Sequence, residues 1–225
     1  MIKEMTFVFT INCDQMKKMD TYTIDKIGIP SIVLMETAAI RVVENINTDI
    51  YKSFTIICGT GNNGGDGLAI ARMLFLLGLK VDLYIIGDLN KTTKDFNVNL
   101  NIINNIKLSY TNITEQTYLL NLKDSVKKSD LVIDAIFGIG LDRDIVGIHY
   151  DVIEIINKYS SNVLAVDIPS GLNGDSGKVS NITVNADTTV TFHQMKKGLL
   201  KNHIHTGRII IVDIGIPDTV TKLFA

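Results

Sequence analysis

Three short stretches concentrate the residue types that do chemistry: "GTGNNGGDG" (Gly59–Gly67), "DAIFGIGLDRD" (Asp134–Asp144) and "VDIPSG" (Val166–Gly171). In the first, Gly59, Gly61 and Gly64 satisfy the G-x-G-x-x-G spacing, which lets bare backbone N–H groups approach a phosphate at a helix N-terminus. Asn62, Asn63 and Asp66 point elsewhere, because a carboxylate repels a pyrophosphate while amide and carboxyl oxygens suit a cation or sugar hydroxyls. Asp134 interrupts the apolar run "LVIDAIF", where an ionised carboxylate needs a partner or turns neutral. It reads equally as a cap for a neighbouring loop's N–H groups and as a cation ligand or acid/base. Asp167 precedes Pro169 and Gly171. An Asx-turn accounts for an aspartate there, but a carboxylate at a strand end over a cleft also suits general acid/base work, and that reading is preferred. Ser170 is outside any G-x-S-x-G elbow, so it reads as a cation ligand and not as a nucleophile.

The elements that must position these residues are legible as short β-branched runs: Phe54–Cys58, Val81–Gly87, Asp130–Gly138, Asn162–Pro169, Thr188–Phe192 and Arg208–Gly215, with Ile106–Tyr110 weaker. Little polar/apolar alternation within them predicts a mostly parallel sheet covered on both faces. Helical periodicity falls at Asp66–Leu77, Thr93–Ile106, Gln116–Lys128 and Tyr150–Tyr159. An N-terminal helical pair, Asp14–Ile27 and Ser31–Asn45, is separated by "GIP". The alternation predicts a single α/β domain over residues 1–225, Rossmann-like and doubly wound, with its ligand beyond the carboxyl ends of the strands where the strand order reverses.

Composition narrows the classes. The chain has 225 residues, is 46% hydrophobic and carries a net charge of −2, which predicts a well-buried core and argues against a broad nucleic-acid footprint. Cys13 and Cys58 lack metal-ligand spacing and read as reduced thiols. The N-terminal apolar run is too short for a signal peptide, and no stretch has the length of a membrane span, so the expectation is cytoplasmic. His203 and His205 read as solvated residues on an exposed strand or loop, and Lys196 and Lys197 as surface charges, although the following "GLL" turns the chain back towards the core. Asp82 and Asp88 lie near the ribose-binding spacing of a nicotinamide-dependent oxidoreductase, which keeps that rival open.

Together, "GNNGGDGLAIARML", "DAIFGIGLDRDIVG", "VLAVDIPSGLNGDSG" and "ADTTVTFHQMKKGLL", in this order and spacing, resemble the NAD(P)H-hydrate epimerase family, the YjeF N-terminal domain. "MKKMDTYTIDKIGIPSIVLMETAA" resembles that family's start and "GRIIIVDIGIP" its end, so the likeness covers nearly the whole chain. The resemblance implies an isomerase that interconverts the R and S forms of hydrated NADH and NADPH (NADHX and NADPHX), which carry a hydroxyl on C6 of the nicotinamide ring. It implies a potassium ion on Asn63, Asp134 and Ser170. It also implies a hydrate site formed by Asn62, Asn63, Gly64, Gly65 and Asp66, by Gly138, Ile139, Gly140, Leu141, Asp142, Arg143 and Asp144, and by Asp167. Asp167 is the expected catalytic proton shuttle, and an asparagine there is expected to leave the fold intact. The implied partners are a dehydratase that restores the cofactor and a second copy of the chain as homodimer; no nucleic acid or membrane is expected. Ala39 stands where the family usually has glycine, and Lys197 where proline is usual. A non-catalytic scaffold of the same fold is the alternative, disfavoured because Asn63, Asp66, Asp134, Asp167 and Ser170 are all of the family's type.

Overall fold

The β-branched runs pair into one seven-stranded sheet in which every neighbouring pair is parallel. The structure is a computed structural model that describes residues 9–141 and 143–224, so Asp142 of the implied hydrate site lies outside it. The strands of the large sheet are β2 (Ser53–Cys58), β3 (Lys80–Ile86), β4 (Tyr110–Ile113), β5 (Leu131–Ala135), β6 (Val163–Val166), β7 (Thr188–Phe192) and β9 (Arg208–Val212), in spatial order β4-β3-β2-β5-β6-β7-β9. The order reverses between β2 and β5, so the loops leaving these two strands flank the place where an open α/β sheet takes its ligand. In the register there, Ile57 lies beside Asp134 and Asp134 beside Ala165.

Successive residues of each strand face opposite layers. Phe54, Ile56 and Cys58 pack with helices α1 (Cys13–Tyr22), α2 (Ser31–Glu44), α3 (Asn62–Leu76) and α4 (Lys94–Asn105) through Met19, Ala38, Leu68 and Phe96. Ile57, Tyr84 and Val132 pack on the other side with α5 (Tyr118–Lys128) and α6 (Ile148–Tyr159) through Leu122, Val126, Val152 and Ile156. Both faces are therefore dry, which is why the strands read as continuous apolar runs. No helix among the described residues is long and apolar enough to cross a membrane.

The N-terminal pair forms as expected. Asn12 and Gln15 close a reciprocal capping box at the start of α1. The helix continues as one π-helical turn, Thr23–Ile27, and stops at Gly28, whose φ of 85° is left-handed. Several elements differ from the sequence reading. The weak strand is Tyr110–Ile113, because Ile106 still caps α4 and Leu108 N–H donates back to the Ile103 carbonyl. A second, two-stranded sheet joins β1 (Thr10–Ile11) to β8 (Met195–Lys196). His203 and His205 lie on a short helix, α8 (His203–Thr206), which follows α7 (Lys197–Lys201); a last helix, α9 (Asp218–Phe224), packs against the α1 layer through Val220. Lys197 opens α7 at its first position, where proline fits equally well, so its replacement of the usual proline demands no change of backbone.

Candidate active site

The glycine stretch is less a loop than the start of α3, which begins at Asn62, four residues before the predicted Asp66. Glycine disfavours helix by about 1 kcal/mol relative to alanine, so something outweighs that cost. Close approach does. A Cβ on Gly64 would stand 1.8 Å from the Gly59 carbonyl oxygen, and one on Gly67 would stand 2.6 Å from both Cys58 Sγ and Ala135 Cβ. The glycines let the first turns of α3 press on the ends of β2 and β5. This seats Asn63 and Asp66 at the strand-order reversal.

Asp134 is fully buried in central strand β5. Its Oδ1 accepts from the Ser170 hydroxyl at 2.6 Å and from Ile136 N–H at 3.2 Å, and its Oδ2 accepts from Ser170 N–H at 2.8 Å. Burial pushes its carboxyl up to about 6 even though these hydrogen bonds pull the other way. Ser170 Oγ also accepts from Phe137 N–H and sits 3.3 Å from the Phe137 carbonyl. Asn63 stands beside this group, with its Cβ 3.4 Å from where a side chain on Gly138 would begin. Its amide Nδ2 is buried without a partner among the described residues. Turning that amide over places its oxygen at the same spot. The cluster thus gathers hydroxyl, carbonyl and amide oxygens around a carboxyl that has no basic partner among the described residues, a donor set suited to a hard cation. Among the described residues, no three His, Cys, Asp or Glu side chains converge as a metal site.

Asp167 follows β6 directly and adopts φ 64°, a left-handed conformation that aspartate tolerates better than most residues. The kink carries its carboxylate to Lys196. The sequence reading of Lys196 as a surface charge is overturned: the side chain is 0% exposed and its Nζ lies 2.6 Å from Asp167 Oδ1. Nζ also donates to Thr191 Oγ1 at 3.1 Å and to the Phe192 carbonyl at 2.7 Å. The signal that could have found it was the "GLL" turn, Gly198–Leu200, which follows the lysine pair.

Two further carboxyls face this pair. Burial, then the charges of Asp167, Asp20 and Asp95, push Asp66 well above the usual carboxylate range. Asp20, on α1, is raised to about 7 by burial, with Lys196 opposing and Asp167 adding to the shift. Nothing in the sequence singled out Asp20.

The implied site residues therefore form two adjoining groups. Asn63, Gly138, Asp134 and Ser170 make one, and Asp66 with Asp167 makes the other. Gly64 and Gly65 are buried beneath them, while Asn62 and Gly140 are exposed and Ile139 is half-buried. Leu141, Arg143 and Asp144 lie farther along, lining a cavity of about 200 Å³ with Gly171 and Lys178. A larger cavity of about 300 Å³ lies against Lys17, Tyr22, Lys26 and Phe224 and contains none of the implied residues.

A family model described as "YjeF-related protein N-terminus" matches residues 31–198, a span that contains both groups and Lys196. The chain belongs to this family. Among similar YjeF-related proteins, one from Anaerococcus prevotii is 39% identical over 96% of this chain and 99% of its own length. One from Oenococcus oeni is 38% identical over 94% and 99%, and one from Limosilactobacillus fermentum 41% identical over 90% and 95%. All three are named NAD(P)H-hydrate epimerase. The YjeF-related fold also matches the crystal structure of yeast ynu0, with a TM-score of 0.82 at 23% identity, covering 97% of this chain and 94% of that one.

Proposed function

We propose that the chain is an NAD(P)H-hydrate epimerase, an isomerase that interconverts the two C6 epimers of hydrated NADH or NADPH. The observation that carries this is the near end-to-end match to proteins of that name, at 39% identity over 96% of this chain and 99% of the A. prevotii protein. The geometry is suited to it. C6 of the hydrate is a hemiaminal, so its configuration is lost either by expelling the hydroxyl with help from the ring nitrogen or by opening the ring to an aldehyde. Both routes move a proton at the C6 oxygen. Asp167 is the group we assign to that proton, with Asp66 as a neighbouring carboxyl that burial and then nearby negative charge push well above the usual carboxylate range. Asn62 to Asp66 and Gly138 to Asp144 are the proposed hydrate contacts. One pure hydrate epimer incubated with the protein and followed by chromatography tests the reading. The expected result is rapid appearance of the other epimer with no net redox change, and an interconversion rate equal to the protein-free control would remove it.

Asn63, Asp134 and Ser170 are the residues we assign to potassium. Held by these residues, the ion would supply positive charge to the Asp134 carboxylate and would link α3, through Asn63, to β5 and to the loop after β6. The expected outcome of exchanging potassium for tetramethylammonium, which is too large for this oxygen cluster, is a lower Tm and a lower epimerisation rate, read by thermal melts and initial rates. Unchanged values of both would count against the site. A dehydratase that consumes the hydrate is the partner activity, a homodimer is the proposed assembly, and the cytoplasm suits a chain whose two cysteines, Cys13 and Cys58, are buried and unpaired.

A further inference from the structure

A lysine sealed inside a protein is heavily disfavoured unless its charge and all three N–H groups are satisfied. Lys196 meets both conditions. Its three acceptors are Asp167 Oδ1, Thr191 Oγ1 and the Phe192 carbonyl. Among the described residues no other lysine is buried. Its backbone is fixed as well, because Lys196 pairs with Ile11 in the small β1–β8 sheet. With its donors used up and its side chain closed off, Lys196 has nothing left to offer a substrate directly.

The consequence falls on Asp167. Its Oδ1 takes three donors: Lys196 Nζ at 2.6 Å, the Thr191 hydroxyl at 3.1 Å and Phe192 N–H at 3.1 Å. Among the described residues no hydrogen bond reaches Oδ2, and the side chain keeps 11% of its surface open. The two oxygens of one carboxylate are therefore unequal. One is bolted to the scaffold and one is free.

We propose that Lys196 is a positioning residue for the epimerisation: it clamps Asp167 through Oδ1, supplies the counter-charge of the carboxylate, and leaves Oδ2 as the oxygen that works as a base on the C6 hydroxyl. This rests on the epimerase reading and selects the ring-opening route. The C6 hydroxyl proton passes to Oδ2, the oxygen's electron pair becomes the carbonyl bond as C6–N1 breaks, and the pair left on N1 takes a proton from a water that recovers one from Oδ2. Rotation about C5–C6 presents the other carbonyl face, and the steps run backwards to the opposite epimer.

A double-mutant cycle tests it. Lys196→Met is expected to lower kcat by about 10–100-fold, the scale of a misplaced catalytic group, with KM within about threefold of wild type because Lys196 does not touch substrate. Asp167→Asn together with Lys196→Met removes the charge pair as a unit, so it guards against a single variant that fails to fold. It is expected to be no slower than Asp167→Asn alone. A folded Lys196→Met with wild-type kcat, or a double variant at least tenfold slower than Asp167→Asn, overturns the proposal, the second result showing that Lys196 acts on something besides Asp167. Wild-type protein assayed alongside separates this failure from failure of the epimerase reading, which would show no turnover in any sample.

Discussion

Asp167→Asn is expected to slow epimerisation by about 10²–10⁴-fold, the usual contribution of a positioned acid/base. The amide oxygen can keep the three donors that Oδ1 now holds, so the side chain stays where it is. The amide nitrogen, however, replaces the free Oδ2 with a group that donates and cannot take a proton. The structure revises the expectation that the fold is untouched. Lys196 loses its counter-charge while 0% exposed, and breaking a buried pair by removing one partner costs about 3–5 kcal/mol. Asp20 offsets part of this. Its carboxyl, held up to about 7 mainly by burial and in part by the charge of Asp167, ionises more readily once that charge is gone. A net loss of about 2 kcal/mol corresponds to roughly 4–8 °C in Tm for a chain of this size. Initial rates at 25 °C beside thermal melts separate the two effects. A folded variant with near-wild-type turnover would take Asp167 out of the chemistry.

Much of the sheet was legible because burial on both faces writes itself into sequence: "FTIIC", "LVIDA" and "VLAV" show little polar/apolar alternation, and each became a parallel strand. Asp134 was legible for the same reason in reverse, as a charge inside such a run. What the sequence concealed was set by contacts distant along the chain. Lys196 sits beside Lys197 and reads as surface, yet its burial depends on β1, built from residues 10 and 11, and on a carboxylate 29 positions away. Asp20 reads as one more polar residue on an amphipathic helix, and only the packing of α1 against the rim brings it near Lys196 and Asp167. The early start of α3 was hidden because glycine content lowers helix propensity, and tertiary packing overrode it. The weak strand was misplaced because Lys107, at φ 60°, turns the chain out of α4 before the strand can begin.

Gly64→Ala is the second large effect and tests why the glycines are there. On propensity alone, alanine in α3 would stabilise by about 1 kcal/mol. Against that, its Cβ would lie 1.8 Å from the Gly59 carbonyl oxygen and 2.6 Å from the carbonyl carbon. These are backbone atoms at the end of β2, with no flexible side chain to yield, so α3 itself must move. Overpacking of ordinary side chains costs about 1–3 kcal/mol and more when backbone is displaced. The expected net loss is about 3 kcal/mol, roughly 6–12 °C in Tm. The displacement also carries Asn63 and Asp66 off the strand ends, and a 1 Å misplacement of a catalytic group is worth about 10²-fold in rate. Gly61→Ala is the control: nothing lies within 4 Å of its Cβ, and its φ of −89° suits any residue. As the N-cap of α3 it should lose only about 0.5–1 kcal/mol to alanine, well short of Gly64→Ala. If the two variants melt together, close packing is not the reason for Gly64. The first turn of α3 would then be held over the strand ends by something other than its contact with the Gly59 carbonyl.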